Sequence, residues 1–404
     1  MSTFDEELER RLESWREQGL YRQWRCLESA QSPRLAMGGR TVLNFSSNDY
    51  LGLAHDDRLK EAAIAAVAEF GAGAGASRLI CGTLAPHVAL ERELASWKGT
   101  EAALTFATGY ASALGAIGAL LDKHDFLVID KLVHACVVDA ARLCGATLRV
   151  FAHNDTEDLE HKLRWCAEKR AARDKPAHVL VVTESVFSMD GDPAPLEAIA
   201  DLKDRYEAWL MVDEAHASGL YGPRRQGLIA AHQLGGRVEI QMGTLSKAVG
   251  AAGGFICGSR VLIDFLVNRA RGFIFSTAPP PAIAAAATAG VHCIQTEEGA
   301  RRCARLWRRV DQIRQGLGQS GLPVPARCAI IPLPMGDESR AVAAASRLWD
   351  QGILLPAIRF PTVARGAARL RLTVSAAHTE EEVGRLIEAL RSVGVLAAGE
   401  GGEQ

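Results

Sequence analysis

WLMVDEAHASG, residues 209–219, begins as an unbroken apolar run and ends on Asp213, with Glu214 and His216 just beyond. A strand that is apolar at every position has no solvent side, which is the habit of strands in parallel sheets covered on both faces. The same pattern recurs in ALTFAT (103–108), FLVID (126–130), TLRVF (147–151), HVLVVTE (178–184), EIQMGT (239–244) and GGFICG (253–258). Segments of helical period separate them, for example 156–171 and 195–206. The alternation predicts an α/β fold built on a mostly parallel sheet.

Outward from that centre the pattern changes. Phe4–Gln18 reads as an amphipathic helix with a heavily charged face. STAPPPAIAAA (276–286) opens a helix predicted to continue to about residue 318. Beyond it, 328–334, 353–358 and 369–374 look extended, while 340–350 and 379–392 look helical, as in a smaller C-terminal α+β domain. The expected division is an N-terminal segment (1–50), a large domain (51–285) and a small domain (286–396), with a disordered tail, AAGEGGEQ.

The composition narrows the function. Among 404 residues, 46 Lys and Arg face 48 Asp and Glu, a net charge of −2 that offers no basic stripe for nucleic acid. Nine cysteines include no C-x-x-C pair, which argues for reduced thiols and against a zinc site. The charged N-terminus and the short apolar runs point to a cytoplasmic protein with no membrane span.

Ligands of open α/β sheets bind at the carboxyl ends of the strands. Those ends offer Asp213 and His216; Glu184, Ser188 and Asp190; Thr244, Ser246 and Lys247; and the turn at Gly109 that opens a helix. A partly desolvated lysine is a nucleophile toward carbonyls. A buried carboxylate needs a cation, and a pyridinium nitrogen is one. A glycine turn at a helix N-terminus suits a phosphate. Together these are the parts of a site for pyridoxal 5'-phosphate (PLP). The glycines of FGAGAGASRLICGT (70–83) follow helical sequence instead of a strand, so that stretch reads as a flexible loop lining the substrate entry, not as a dinucleotide site.

FSSNDYLGL (45–53), FATGYASALGAI (106–117), VFSMDGD (186–192), VDEAHASGLYG (212–222), GTLSKAVGAAGG (243–254) and ARLRLTVSAAHT (368–379) resemble, in this order, the motifs of the α-oxoamine synthases. These are fold-type-I PLP enzymes that condense an amino acid with an acyl thioester and release CO2. VFAHND (150–155) and AIRFPTVARGAARLRLT (357–373) are most similar to the branch that serves biotin synthesis, which implies L-alanine and a pimeloyl thioester of CoA or acyl-carrier protein. The resemblance implies that Lys247 carries the cofactor as a Schiff base, that Asp213 faces the pyridine nitrogen, and that His216 and Ser188 face the phenolic oxygen. His134 would stack on the ring and help polarise the thioester carbonyl. Gly109 and Tyr110 would give backbone N–H groups, and Thr244 would hold the phosphate. Asn48 and Arg371 would hold the amino-acid carboxylate, and Arg22 and Thr362 would contact substrate. Thr277 would reach the phosphate of a neighbouring subunit in a homodimer with shared sites.

Strand alternation points Arg369 the same way as Arg371, and the choice of Arg371 rests on motif alignment. His87, His153 and His378 are expected to be structural or solvent-facing. HASG stands where the family more often has HGTG, and Ala74 and Ala76 also depart from its usual wording; all keep bulk small. Glycine C-acetyltransferase, 5-aminolevulinate synthase and serine palmitoyltransferase chemistry remain as rivals within the family. A non-enzymatic binding protein and a nicotinamide dehydrogenase remain outside it.

Overall fold

In a computed structural model of the protein, which describes residues 3–18, 20–173, 175–319 and 326–396, the apolar runs become strands. In chain order they are β1 (Arg34–Met37), β2 (Arg40–Asn44), β3 (Ala102–Phe106), β4 (Phe126–Asp130), β5 (Thr147–Phe151), β6 (Val179–Glu184) and β7 (Trp209–Asp213). There follow β8 (Ile240–Thr244), β9 (Gly254–Gly258), β10 (Ile330–Gly336), β11 (Ile353–Leu354), β12 (Ala357–Ile358) and β13 (Ala368–Thr373). The tail expected to be disordered lies outside the described residues.

The central sheet has the order β3-β9-β8-β7-β6-β4-β5, and β9 alone in it runs antiparallel to its neighbours. Alternate residues along each strand feed two cores. Leu127, Ile129, Leu180, Val182, Met211 and Met242 pack under the helices at 109–120, 135–144 and 260–269. Phe126, Val128, Val179, Val181, Leu210 and Val212 pack under those at 85–98, 156–171 and 196–205. Burying each such side chain stabilises the fold by roughly 1.5–3 kcal/mol, which is why these strands read as continuous apolar runs. The parallel strands share one carboxyl edge, and Asp130, Glu184, Asp213 and Thr244 end on it.

Two smaller sheets bring the chain ends together. β11 pairs parallel with β2 in a sheet that also holds β1, so residues 34–44 are tied to residues 353–354. The other sheet is β10-β13-β12. The stretch 353–358, expected as one extended run, is therefore two strands in different sheets, parted at Leu355 and Pro356.

The helix predicted from the three prolines to residue 318 is also two helices, Pro281–Gln295 and Glu297–Gly318. Thr296 between them is extended (φ −81°, ψ 175°). The corner is tight: a Cβ on Gly299 would lie 2.2 Å from the Ile294 carbonyl oxygen. No helix among the described residues is long and apolar enough to cross a membrane.

Candidate active site

Register brings the strand-end groups together. Glu184 of β6 stands opposite Asp213 of β7, so two carboxylates end side by side on buried strands. Asp213 accepts the Ala215 N–H at 2.8 Å, and no ion pair among the described residues reaches it. Glu184 accepts the His134 N–H at 2.6 Å. Burial, then the Asp213 charge, raises the Glu184 carboxyl to about 8, and burial raises that of Asp213 against the opposing pull of Lys247.

Lys247 follows β8 through the turn Leu245–Ser246. Its Nζ lies 2.9 Å from His216 Nε2. Burial lowers its pKa despite the opposing pull of Asp213 and Glu184, with Arg371 adding to the fall. Burial, then Lys247 and Arg371, drives His216 well below the usual histidine range, so its imidazole is neutral. His216 Nδ1 is 2.7 Å from the Tyr50 hydroxyl, which in turn donates to Asn48 Oδ1 at 3.1 Å. The neutral ring has one N–H, shared between the Tyr50 contact at Nδ1 and the amine contact at Nε2.

Arg371 closes the other side. Its two terminal nitrogens each reach Asn48 Oδ1 at 3.3 Å, and its Nε donates to the Ser188 carbonyl at 2.7 Å. Arg369 instead pairs with Asp190 and the Met189 carbonyl. The two arginines that alternation left equivalent are separated by their partners, and Arg371 is the one joined to Asn48.

The anion turn is built by close approach. Thr108 caps the helix at 109–120, its hydroxyl accepting the Ala111 N–H, so the N–H groups of Gly109 and Tyr110 stay outside the helical ladder. A Cβ on Gly254 would lie 2.5 Å from the Gly109 backbone, and one on Gly109 would lie 3.6 Å from Thr244 Cβ. Glycine at 254 lets β9 lie against that turn, and Thr244 sits beside it, donating to the Gly253 carbonyl. The Tyr110 side chain is exposed and its phenol bonds Asp139.

His134 caps the next helix, its Nδ1 accepting the Cys136 N–H at 3.2 Å. It stands deep enough for desolvation to lower its pKa, and both Asp213 and Lys247 act on it. Arg22, Thr277 and Thr362 are exposed, and no hydrogen bond among the described residues ties them to this cluster; Thr277 forms a β-bridge with Ser77.

Of the three histidines expected to be structural or solvent-facing, His87 and His378 are buried in structural roles. His87 joins Leu84 to the Pro279 carbonyl, and His378 stacks on Phe45 with ring centroids 4.3 Å apart. The stretch 70–83, expected to be a flexible loop, is anchored at its end: Arg78 is buried and forks onto both oxygens of Glu91 at 2.9 Å.

Sequence reasoning missed Tyr50, which lies inside a quoted motif but reads as a core aromatic. It noted Glu184 without a role, and only register puts that carboxylate beside Asp213. Asp213 is a buried carboxylate with no ion-pair partner among the described residues, set near an amine whose pKa burial lowers and an anion turn. That donor set fits a cofactor with a cationic ring nitrogen, an aldehyde and a phosphate.

Residues 40–390 match the family model described as aminotransferase class I and II. The chain belongs to that family. This family member is 46% identical to the 8-amino-7-oxononanoate synthase of Anaeromyxobacter dehalogenans, over 95% of this chain and 94% of that protein. It is 40% identical to the same-named protein of Thermoanaerobacter pseudethanolicus, over 96% of each. Among solved structures it is similar to a serine palmitoyltransferase from S. paucimobilis with bound PLP-myriocin aldimine, at TM-score 0.89 and 28% identity, covering 98% of this chain and all of that one. The fold-type-I architecture and the enzyme class expected above agree with these relatives.

Proposed function

We propose that this aminotransferase-family chain is a PLP-dependent 8-amino-7-oxononanoate synthase. It joins L-alanine to a pimeloyl thioester of CoA or acyl-carrier protein, releasing CO2 and the free carrier thiol, in the cytoplasm and in the service of biotin synthesis. The observation that carries the reading is Lys247: an amine whose pKa burial lowers, within 2.9 Å of a neutral histidine and acted on by the buried carboxylates Asp213 and Glu184. The relatives at 40% and 46% identity support the choice of substrate.

Asp213 would pair with the ring nitrogen of the cofactor, the N–H groups of Gly109 and Tyr110 with Thr244 would take its phosphate, and His216 and Ser188 would serve its phenolic oxygen. When bound, PLP supplies an aldehyde carbon for an amine and a ring that accepts the electron pair released at the amino-acid Cα. Arg371 and Asn48 fix the alanine carboxylate, the planar guanidinium matching its two oxygens. Lys247, whose burial lowers its pKa, is the base for the Cα proton. His216, neutral, stands within hydrogen-bond reach of the amine through Nε2. His134, whose Nδ1 accepts the Cys136 N–H, would cover the reacting centre and donate from Nε2 toward the thioester carbonyl. Residues 51–285 carry the cofactor groups and residues 286–396 bring Arg371 to them, with residues 1–50 supplying Asn48. The working unit is a homodimer. Exposure of Arg22, Thr277 and Thr362 in the single chain fits roles at a partner's site or at bound substrate.

The test pairs two measurements. Borohydride reduction of the yellow holoenzyme should fix the cofactor on Lys247, read by peptide mass spectrometry, and Lys247→Ala should abolish thiol release. A panel of acetyl-, succinyl-, pimeloyl- and palmitoyl-thioesters with glycine, alanine and serine should favour pimeloyl with alanine. Preference for palmitoyl with serine would assign the chain to the rival chemistry of its structural neighbour. Normal turnover by Lys247→Ala would end the reading altogether.

A further inference from the structure

His153 ends up between two carboxylates. Its Nδ1 lies 3.0 Å from Asp130 Oδ1 and its Nε2 2.8 Å from Asp192 Oδ2. A neutral imidazole has one N–H, so both contacts are hydrogen bonds only if the ring is an imidazolium. Each carboxylate also holds a turn of the active site. Asp130 accepts the N–H of Leu132 at 2.7 Å, two residues before His134, and the N–H of Asn154 at 2.9 Å. Asp192 accepts the Asn154 side-chain amide at 2.8 Å, and its own carbonyl accepts the Phe187 N–H at 3.0 Å. That bond closes the turn carrying Ser188, whose carbonyl receives Arg371 Nε. The Phe187 ring stands at 89° to the His153 ring, centroids 4.4 Å apart.

We propose that His153, as a cation clamped by Asp130 and Asp192, is a positioning residue that sets the spacing between the His134 turn and the Ser188 turn and so aims Arg371 at the amino-acid carboxylate. The inference rests on the reading of Arg371 as the carboxylate binder. The electrostatics agree with the geometry: burial alone would lower the His153 pKa, but its bonds to Asp130 and Asp192 and their charges hold it at about 10. Those two aspartates are the charged groups that act on it.

In the holoenzyme, His153→Gln should raise KM for L-alanine about tenfold, with KM for the thioester unchanged and kcat within about threefold. Asp192→Asn removes one of the two anions, so His153 should lose its proton nearer neutrality; KM for alanine then climbs with pH between about 7 and 9, where the wild type stays flat. A merely structural histidine would move neither the KM split nor that pH profile. Unchanged KM for alanine in a folded His153→Gln, or equal rises in both KM values, overturns the proposal. If His153→Gln does not fold, the Asp192→Asn profile decides, and a flat profile overturns it. Arg371→Lys separates the two readings. If it raises KM for alanine while His153→Gln does not, only the clamp fails; if it leaves KM unchanged, the carboxylate reading fails and the clamp with it.

Discussion

Lys98 and Lys247 are both drawn away from water, but only Lys98 pairs with one of the two carboxylates adjacent in sequence, Asp213 and Glu214. Lys98 Nζ meets Glu214 Oε2 at 2.5 Å and also donates to Ser218 Oγ at 3.1 Å and the Gln226 carbonyl at 2.5 Å. Glu214 spends its other oxygen on the Ile229 N–H at 2.9 Å. Even the backbone is shaped to this pair, because a Cβ on Gly227 would lie 2.3 Å from the Glu214 carboxylate. Lys247 has no such cage: its hydrogen-bond partner is a neutral histidine, and Asp213 acts on it only through space. A satisfied pair stabilises a fold, whereas an unsatisfied set leaves its amine and its carboxylate free for something that arrives later.

The contrast predicts opposite responses to the same substitution. Lys98→Met leaves Glu214 buried and unpaired and should cost about 3–5 kcal/mol of stability, read by urea unfolding of the apo-protein. Lys247→Met removes a desolvated amine, so its unfolding midpoint should match or exceed the wild type while thiol release vanishes. Equal destabilisation by both changes would erase the distinction drawn here. Asp213→Asn is expected to retain the fold and lose turnover by roughly 100-fold or more, since a neutral amide cannot hold the proton of a ring nitrogen.

Smaller effects sharpen the same picture. Arg371→Lys keeps a charge but loses the fork, and KM for alanine should rise roughly 10- to 100-fold with the thioester KM unchanged. Glu184 gives the smallest signal, and its sign is definite. Its carboxyl is raised from 4.5 to about 8 in the fold, so the folded state binds the proton more tightly than the unfolded chain does. The stability it contributes is complete below the unfolded value and drains away as pH rises to about 8. Thermal melts of the apo-protein should therefore fall by a few degrees from pH 5 to pH 8.5, and Glu184→Gln should flatten that slope.

Much of this site was legible because chain order and strand ends carry it. TLRVF and WLMVD are strands to the residue, and their ends supply the turn before His153 and the carboxylate Asp213. The break at Thr296 was not read from the sequence, because proline-led alanine-rich sequence continues as helix by propensity, and the close approach of Gly299 to the Ile294 carbonyl at the corner is a tertiary feature. Nor was the anchoring of 70–83, since Arg78 meets its partner Glu91 across a separate helix.

From sequence alone came the parallel sheet, its buried strands and the acids, amine and glycine turn at their ends, because side-chain period and chain direction are local properties. Tertiary structure decided which arginine meets Asn48, that Tyr50 orients His216, and that Glu214 is caged while Asp213 stays unpaired. Those partners lie tens to hundreds of residues apart, and hydrogen bonding and desolvation depend on distances that exist only once the sheets have packed.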